Sequence, residues 1–273
     1  IAGEDGKWAV ELPACPASSE GAVLTVQGDH KLTFSDVLVG DVWLCAGQSN
    51  MEFELKRIEG ADEIIGKAKK HTIRLFNIPH VWSRVPEFTV KAGWQTCSPE
   101  SAASFSAVAY LTGTGIAEKA DVPVGLVSIA WGGARIEAMC AAESFREASL
   151  EPAITQAFEN GIRDYGKQQD CELRWDKQRL PSVIFNAMVH PITPYAVRGL
   201  LWYQGEDNHD EGMAYAEKLR GLAWTWRTYF QDAHMPIFVV QLPPWNYHGD
   251  IPDLLPRFWQ AQYSFVERDP NAG

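Results

Sequence analysis

Residues 41–52 read DVWLCAGQSNME, an apolar run followed by a glycine, a serine and residues that can open a helix. The run at 41–46 is continuously apolar after its first residue, which is typical of a strand buried on both faces of a parallel sheet. A serine directly after such a strand lies at the carboxyl end of the sheet, where open α/β folds bind ligands. The stretch therefore predicts an α/β fold with an exposed hydroxyl at Ser49.

The rest of the chain repeats this alternation of strand and helix. Central strands are predicted at 41–46, 125–131, 197–203 and 236–242, with a weaker one at 73–78. Helical periodicity appears at 103–120, 143–163 and 213–230. Shorter alternating segments at 7–12 and 22–26 predict a β-rich segment over residues 1–36, followed by a core over residues 37–273.

Composition excludes several classes of function. The net charge of −11 and the lack of a basic cluster argue against nucleic-acid binding. No apolar run reaches the ~18 residues of a membrane span. The five cysteines lack metal-ligand spacing, so no structural metal is expected. No other cofactor is predicted. Because the chain starts at Ile1 without a signal peptide, we expect a processed or excised piece.

Ser49 has two interpretations. As a nucleophile for acyl transfer, it would use its own backbone N–H and the positive end of the helix to stabilise an oxyanion. Alternatively, Ser49 and Glu52 form a capping box, in which the hydroxyl only satisfies a helix amide. The residues after Ser49 differ from the Gly-x-Ser-x-Gly pattern of α/β-hydrolases.

Two more motifs follow predicted strands. Residues 127–137 read VSIAWGGARIE, where the glycine pair can donate to an oxyanion or merely make the turn. Arg135 can pair with a substrate carboxylate, or with Glu137 or Glu206. Residues 199–208 read GLLWYQGEDN, where the Gln204 amide can donate to an oxyanion, and Glu206 can orient a base or hold the loop.

These motifs together resemble the sialate O-acetylesterase family of carbohydrate esterases, a branch of the SGNH hydrolases. The resemblance rests on six ordered segments: DVWL at 41–44, GQSNM at 47–51, PVGL at 123–126, WGG at 131–133, NAM at 186–188 and WYQGE at 202–206. It implies a flavodoxin-like three-layer α/β/α fold, a preceding β domain, and a secreted, periplasmic or lysosomal location. The implied activity is removal of O-acetyl groups from a carbohydrate, chiefly sialic acid.

The resemblance also implies roles for individual residues. Ser49 would be the nucleophile, with an oxyanion hole formed by Ser49, Gly133 and Gln204. Beyond the resemblance, we predict that Gln48, Asn50, Gly132, Glu206 and Asn208 support the site. We further predict that Trp131 and Arg135 contact the substrate.

The sequence departs from the family pattern at the general base. The family places that base in an Asp-x-x-His block near the end of the hydrolase domain, and no such block is present before Gly273. We therefore expect the base on a missing C-terminal segment or a second chain, and no activity from this piece alone. His190, His209 and His248 are possible substitutes, although a surface or loop-stabilising role is expected for each; His209, beside Asp207 and Asp210, is the best placed.

Two alternative functions remain open. An acetyl xylan esterase or general carbohydrate acetylesterase would act on neutral sugars, and Arg135 would then be irrelevant to the substrate. A catalytically inactive carbohydrate-binding protein would keep the fold and its aromatic cleft but lack the base.

Overall fold

The computed structural model describes residues 10–68, 72–166, 176–247 and 253–273. An antiparallel ribbon of β1 (Ser18–Gln27) and β2 (Lys31–Val39) precedes the main sheet. The main sheet consists of β3 (Asp41–Gly47), β4 (Ile73–Asn77), β5 (Trp94–Thr96), β6 (Val124–Ala130), β7 (Gly199–Tyr203) and β8 (Ile237–Val239). Its order is β5-β4-β6-β3-β7-β8, and only β5 runs antiparallel to its neighbour.

All five predicted runs form strands of this sheet, including the weaker one at 73–78. The segment predicted at 22–26 lies inside β1, whereas residues 10–12 form no strand and residues 1–9 lie outside the described residues. The proposed border after residue 36 falls inside β2, which continues to Val39. The ribbon therefore extends three residues past that border.

Helices connect the strands. In the described residues they are α1 (Ser49–Glu52), α2 (Ala61–Gly66), α3 (Pro99–Ala103), α4 (Ala107–Ala120), α5 (Ser144–Glu147), α6 (Pro152–Gly166), α7 (Ala214–Tyr229) and α8 (Leu254–Arg268). The helix predicted at 213–230 is confirmed as α7. The one predicted at 103–120 begins only at Ala107, because the Ser106 hydroxyl caps α4 by accepting from the N–H of Ala109 at 3.1 Å.

The helix predicted at 143–163 is two helices, α5 and α6, and the second begins at Pro152. Proline cannot donate the amide hydrogen that a continuous helix requires, but it fits the first turn of a new helix. Helix α8 and the short helices α2 and α3 were not predicted. Every helix in the described ranges is too short or too polar to cross a membrane.

Helices cover both faces of the sheet, which confirms the three-layer α/β/α architecture. On one face, Cys45 of β3 and Leu126 of β6 pack in a cluster with Tyr110 of α4. On the other face, Leu44 of β3 packs in a larger cluster with Trp226 of α7. Neighbouring residues of β3 thus enter opposite cores, as the alternation of side chains along a strand requires.

Strand register brings the motifs to one edge of the sheet. Gly47, the last residue of β3, lies opposite Ala130 of β6 and Tyr203 of β7. The segments after these three strands therefore leave the sheet side by side. Strand β3 lies between β6 and β7 rather than next to β4, so the order of the parallel strands differs from the 2-1-3-4-5 order of flavodoxin.

Candidate active site

The turn between β3 and α1 holds Ser49 at the carboxyl edge of the sheet. Gly47 has a φ of +154°, and a Cβ atom built on it would lie 2.0 Å from the carbonyl oxygen of Tyr203. Only glycine lets the two backbones approach this closely. The next amide, of Gln48, donates to the same Tyr203 oxygen at 3.1 Å, and Ser49 then opens α1 with its side chain exposed.

The capping-box interpretation of Ser49 is wrong. Gln48, not Ser49, is the N-cap residue of α1, and in the described part of the chain no hydrogen bond engages the Ser49 hydroxyl. The carboxylate of Glu52 does not return to the start of the helix either. It accepts from the amide of Gly132 at 2.7 Å and contacts His80 at 2.9 Å. Ser49 is therefore an exposed hydroxyl at the start of α1.

The Trp131–Gly133 turn after β6 packs beside Ser49. The Trp131 amide donates to the Gly47 carbonyl at 3.2 Å, which ties the two turns together. A Cβ atom built on Gly132 would lie 3.6 Å from the Ser49 Cβ. Gly133 has a φ of +72°, and its N–H reaches no backbone acceptor in the described ranges. The Gly132 N–H is occupied by Glu52, so Gly133 is the glycine with an available donor.

The hydrogen bonds of the Gln204 side chain contradict its predicted role as an oxyanion donor. Its side chain is fully buried, and its two amide hydrogens go to the Ala134 carbonyl at 2.9 Å and the Asn208 side chain at 2.8 Å. Its Oε1 accepts from the Tyr215 hydroxyl at 2.7 Å. With both hydrogens used inside the protein, the carboxamide has none left for a substrate. Gln204 instead fixes the loop after β7 to the Trp131–Arg135 segment.

Asn208 continues this buried network. Its Oδ1 accepts from the Ile136 amide at 3.1 Å, and its Nδ2 donates to Glu137 at 3.1 Å. The side chain is fully buried. Asn208 thus holds the segments after β6 and β7 together, and none of its hydrogen bonds to described residues involves Ser49.

The loop after β7 is also bound to the nucleophile turn. Gln48 accepts from the Gly205 amide at 3.1 Å, and the side chain of Asn50 donates to the carboxylate of Glu206. The second oxygen of that carboxylate, Oε2, is buried without a hydrogen-bond partner among the described residues. Burial raises the pKa of Glu206 above its usual range. Gln48, Asn50 and Glu206 therefore hold the residues on either side of Ser49.

Arg135 is engaged by protein carboxylates. Its guanidinium forms ion pairs with Glu137 and Glu211, and both of these also contact Lys218 at 2.6 Å. Burial of Glu137 opposes its ionisation, but Lys218 and Arg135 outweigh that effect and lower its pKa. The structure thus supports the alternative in which Arg135 pairs with Glu137, not the substrate-binding prediction; Glu211 takes the place suggested for Glu206.

The histidines named as substitute bases have structural contacts. His190 Nδ1 lies 2.6 Å from the carbonyl oxygen of Glu87 and its ring packs against Phe185. His209 Nδ1 lies 2.6 Å from the carbonyl oxygen of Glu206, and its ring stacks on Tyr247 with centroids 3.8 Å apart. His248 lies outside the described residues.

His80 is the residue at this edge that sequence reasoning missed. It follows β4 by three residues, and its ring stacks on Trp131, the predicted substrate contact, with centroids 4.6 Å apart and 3° between the planes. The sequence feature that could have identified His80 is its position directly after the weakly predicted strand at 73–78. Within the described ranges, no three His, Cys, Asp or Glu side chains come close enough to hold a metal ion.

Comparisons with known proteins identify the family of the chain. Residues 39–254 match the family described as "Carbohydrate esterase, sialic acid-specific acetylesterase". The chain is 29% identical over 262 residues to sialate O-acetylesterase of Rattus norvegicus, covering 85% of this chain and 48% of the relative. It is 30% identical over 270 residues to sialate O-acetylesterase of Mus musculus, covering 86% and 50%. The chain thus spans about half the length of these curated relatives.

A solved structure is also similar over nearly the whole chain. The crystal structure of a carbohydrate acetylesterase from Xanthomonas citri superposes with a TM-score of 0.83 at 32% identity, covering 98% of this chain and 57% of that one. The family match includes the segments after β3, β4, β6 and β7, and so every part of the site described above. The chain belongs to the carbohydrate esterase family of sialic acid-specific acetylesterases.

Proposed function

We propose that this chain carries the nucleophile and oxyanion donors of a serine carbohydrate O-acetylesterase of the SGNH type, whose substrate is O-acetylated sialic acid. The observation that carries the proposal is the state of Ser49. Its side chain is exposed and forms no hydrogen bond within the described parts of the chain, and it lies beside the glycine turn after β6. A solvent-accessible hydroxyl at the carboxyl edge of the sheet, unoccupied by the protein, lies where a nucleophile of acyl transfer is required.

The reaction proceeds through an acyl-Ser49 intermediate. The Ser49 oxygen attacks the acetyl carbonyl while a general base takes its proton, and the carbonyl oxygen becomes a tetrahedral oxyanion. Collapse of this intermediate expels the sugar alkoxide, which receives the proton from the base. Water then attacks the acetyl-Ser49 ester by the same steps, releasing acetate and restoring the hydroxyl.

The oxyanion donors are the backbone amides of Ser49 and Gly133. The Ser49 amide is the first of α1 and has no intrahelical acceptor, and the Gly133 amide has no backbone acceptor in the described ranges. Backbone donors of this kind are preorganised, so they need little rearrangement when charge develops. Since α1 has only four residues, its dipole adds little to these two amides.

The general base is a histidine from outside this chain, on a further segment or a second polypeptide. Two histidines lie near the site in the described structure. His80 directs Nε2 at the acceptors Glu52 and Ala130, and His209 is bonded to the Glu206 carbonyl. Neither is bonded to Ser49. We further propose a secreted, periplasmic or lysosomal location, which the family resemblance favours.

A second candidate is an acetylesterase acting on neutral sugars. It is favoured by the ion pairs of Arg135 with Glu137 and Glu211, which leave that guanidinium poorly suited to recognise the carboxylate of sialic acid. The solved neighbour is likewise described only as a carbohydrate acetylesterase. Rates of acetate release from O-acetylated sialic acid and from acetylated xylan distinguish the two candidates, and Arg135→Ala is expected to leave their ratio unchanged.

The test of the function is acetate release by the complete gene product and by its Ser49→Ala variant. We expect the variant to lose at least about a thousandfold in kcat while it still folds. Ser18→Ala is the matched control, since Ser18 lies on the ribbon and its hydroxyl bonds only to Glu20 among the residues that the structure describes. Retained activity in Ser49→Ala would refute the role of Ser49 as the nucleophile. Equal activity of the 273-residue chain and the complete gene product would refute the proposal that the general base lies outside this chain.

A further inference from the structure

We propose that Glu52 and His80 are positioning residues of the esterase site: the Glu52 carboxylate fixes the Trp131–Gly133 turn against the nucleophile turn, and His80 fixes that carboxylate. The inference rests on the proposed function, because it concerns the placement of the oxyanion donors. It assigns a task to two side chains that no step of the reaction uses.

Glu52 links three separate segments of the chain. It lies three residues after Ser49, at the end of α1. Residues three apart lie on the same face of a helix, so the two side chains are neighbours. Oε2 accepts from the backbone amide of Gly132 at 2.7 Å, and Oε1 lies 2.9 Å from Nε2 of His80. One carboxylate therefore joins the segments that follow β3, β6 and β4.

The bond to Gly132 places the turn directly beside the nucleophile. A Cβ atom built on Gly132 would come within 3.3 Å of Glu52 Oε2 and 3.6 Å of Ser49 Cβ. The amide of Gly133, the proposed oxyanion donor, is the next one along the backbone. Because adjacent peptide planes share a Cα atom, fixing the Gly132 N–H restricts where the Gly133 N–H can point.

His80 holds the other side of the carboxylate. Its Nε2 faces two acceptors, Glu52 Oε1 at 2.9 Å and the carbonyl oxygen of Ala130 at 3.2 Å, so this nitrogen carries a hydrogen. The ring lies flat on Trp131, which limits its rotation. His80 thus contacts the last residue of β6 and the first residue of the turn while it donates to Glu52.

The charges of the pair reinforce the geometry. The hydrogen bond with Glu52 raises the pKa of His80, and the same bond lowers the pKa of Glu52. Both side chains are more than a third exposed, so solvent screens much of the attraction between them, and the hydrogen-bond geometry carries the pair. An ionised carboxylate is also a stronger acceptor for the Gly132 amide than a neutral group would be.

The experiment measures kcat and KM of the complete gene product and its variants with 4-nitrophenyl acetate and O-acetylated sialic acid. Glu52→Gln removes the charge, His80→Phe keeps a ring on Trp131 but removes the donor, and His80→Gln restores an N–H donor. Glu63→Gln is the matched control, because Glu63 pairs with Lys67 on the exposed surface of α2. Circular dichroism selects a temperature at which every variant is folded.

We expect kcat of Glu52→Gln and of His80→Phe to fall about tenfold to hundredfold on both esters, with KM changed less than about threefold. We expect kcat of the double variant to be no lower than kcat of the less active single variant, because the two residues act as one unit. His80→Gln is expected to recover most of the kcat that His80→Phe loses, and Glu63→Gln to match the wild type.

An active wild type with unchanged kcat in both variants would overturn the inference, and so would a double variant whose loss is the product of the single losses. Failure of the proposed function is distinguishable, since Ser49→Ala would then retain activity or the wild type would have none. In that case the amide proton of Gly132, observed by NMR, decides the matter. An upfield shift in both variants supports the hydrogen-bonded unit, and an unchanged resonance overturns it.

Discussion

The side chain of Gln48 accepts a hydrogen bond of 3.1 Å from the backbone amide of Gly205, across 157 positions of the sequence. This bond joins the residue before the proposed nucleophile to the glycine of the loop after β7. Asn50, the residue after the nucleophile, binds Glu206 in the same loop. Ser49 is thus held on both sides by a neighbouring strand's loop while its own hydroxyl stays exposed.

Gly47 is expected to tolerate no side chain. In Gly47→Ala the new Cβ would lie 2.0 Å from the Tyr203 carbonyl oxygen, at a φ of +154° that L-residues rarely adopt. We expect a loss of at least about 3 kcal/mol in the free energy of unfolding, measured by urea denaturation. Gly28→Ala is the matched control, since a Cβ there meets nothing within 4 Å. Equal stability of the two variants would refute the close approach.

Gln204→Ala separates a structural role from an oxyanion role. The substitution removes one hydrogen bond each from the Ala134 carbonyl, the Asn208 side chain and the Tyr215 hydroxyl in a fully buried site. We expect stability to fall by about 2–3 kcal/mol, seen as a lower Tm. A hundredfold loss of kcat with an unchanged Tm would instead restore the oxyanion role.

Lys218→Met tests the buried ion network. The ammonium lies 2.6 Å from both Glu137 and Glu211, and the three side chains are 11%, 12% and 15% exposed. Removing the ammonium leaves Arg135 to pair with both poorly solvated carboxylates, so we expect a loss of about 2–3 kcal/mol by urea denaturation. Lys67→Met, in an exposed pair with Glu63, is expected to change stability little. Similar losses in both variants would contradict the network.

The His80–Glu52 pair predicts a pH dependence of stability. The pKa of His80 is raised, so its contribution is complete below its ordinary value of 6.5 and is lost as the pH rises through the raised value. The pKa of Glu52 is lowered, so its contribution is present above 4.5 and is lost as the pH falls through the lowered value. Both contributions coexist between these two ordinary values.

The stability difference between wild type and His80→Phe is therefore expected to be larger at about pH 5.5 than at about pH 9. Urea denaturation at both pH values measures it, with Glu63→Gln as the control for general charge effects. A difference that stays constant, or grows toward alkaline pH, would show that the two side chains are not coupled in the folded protein.

The fold was largely predictable because buried parallel strands leave a continuous apolar signature. This signature is present at 41–46, 125–131 and 197–203. Because the three strands are parallel, the residues that follow them, Ser49, Gly133 and Glu206, lie at one edge of the sheet. The division of the helix predicted at 143–163 was less readable, although Pro152 marks where the second helix starts. Helix α8 was missed.

Side-chain direction was the limit of the sequence reasoning at the site. An amide after a strand can point into the cleft or into the core, and nothing in the spacing shows that Gln204 turns inward to Tyr215. The two ion-pair partners of Arg135, Glu137 and Glu211, lie 2 and 76 positions away in the sequence. Only the first of these pairs could be predicted from the local sequence pattern. His80 was missed because its role depends on contacts with Glu52 and Trp131, which are distant in sequence.

The most direct test of the account is the site of covalent labelling by a fluorophosphonate, which phosphonylates activated serines. The complete gene product is inactivated with the reagent, digested, and each modified peptide is identified by mass spectrometry. We predict one phosphonyl group on Ser49, with loss of acetate release in proportion to labelling. A modified serine elsewhere, or an inactivated protein with unmodified Ser49, would contradict the account.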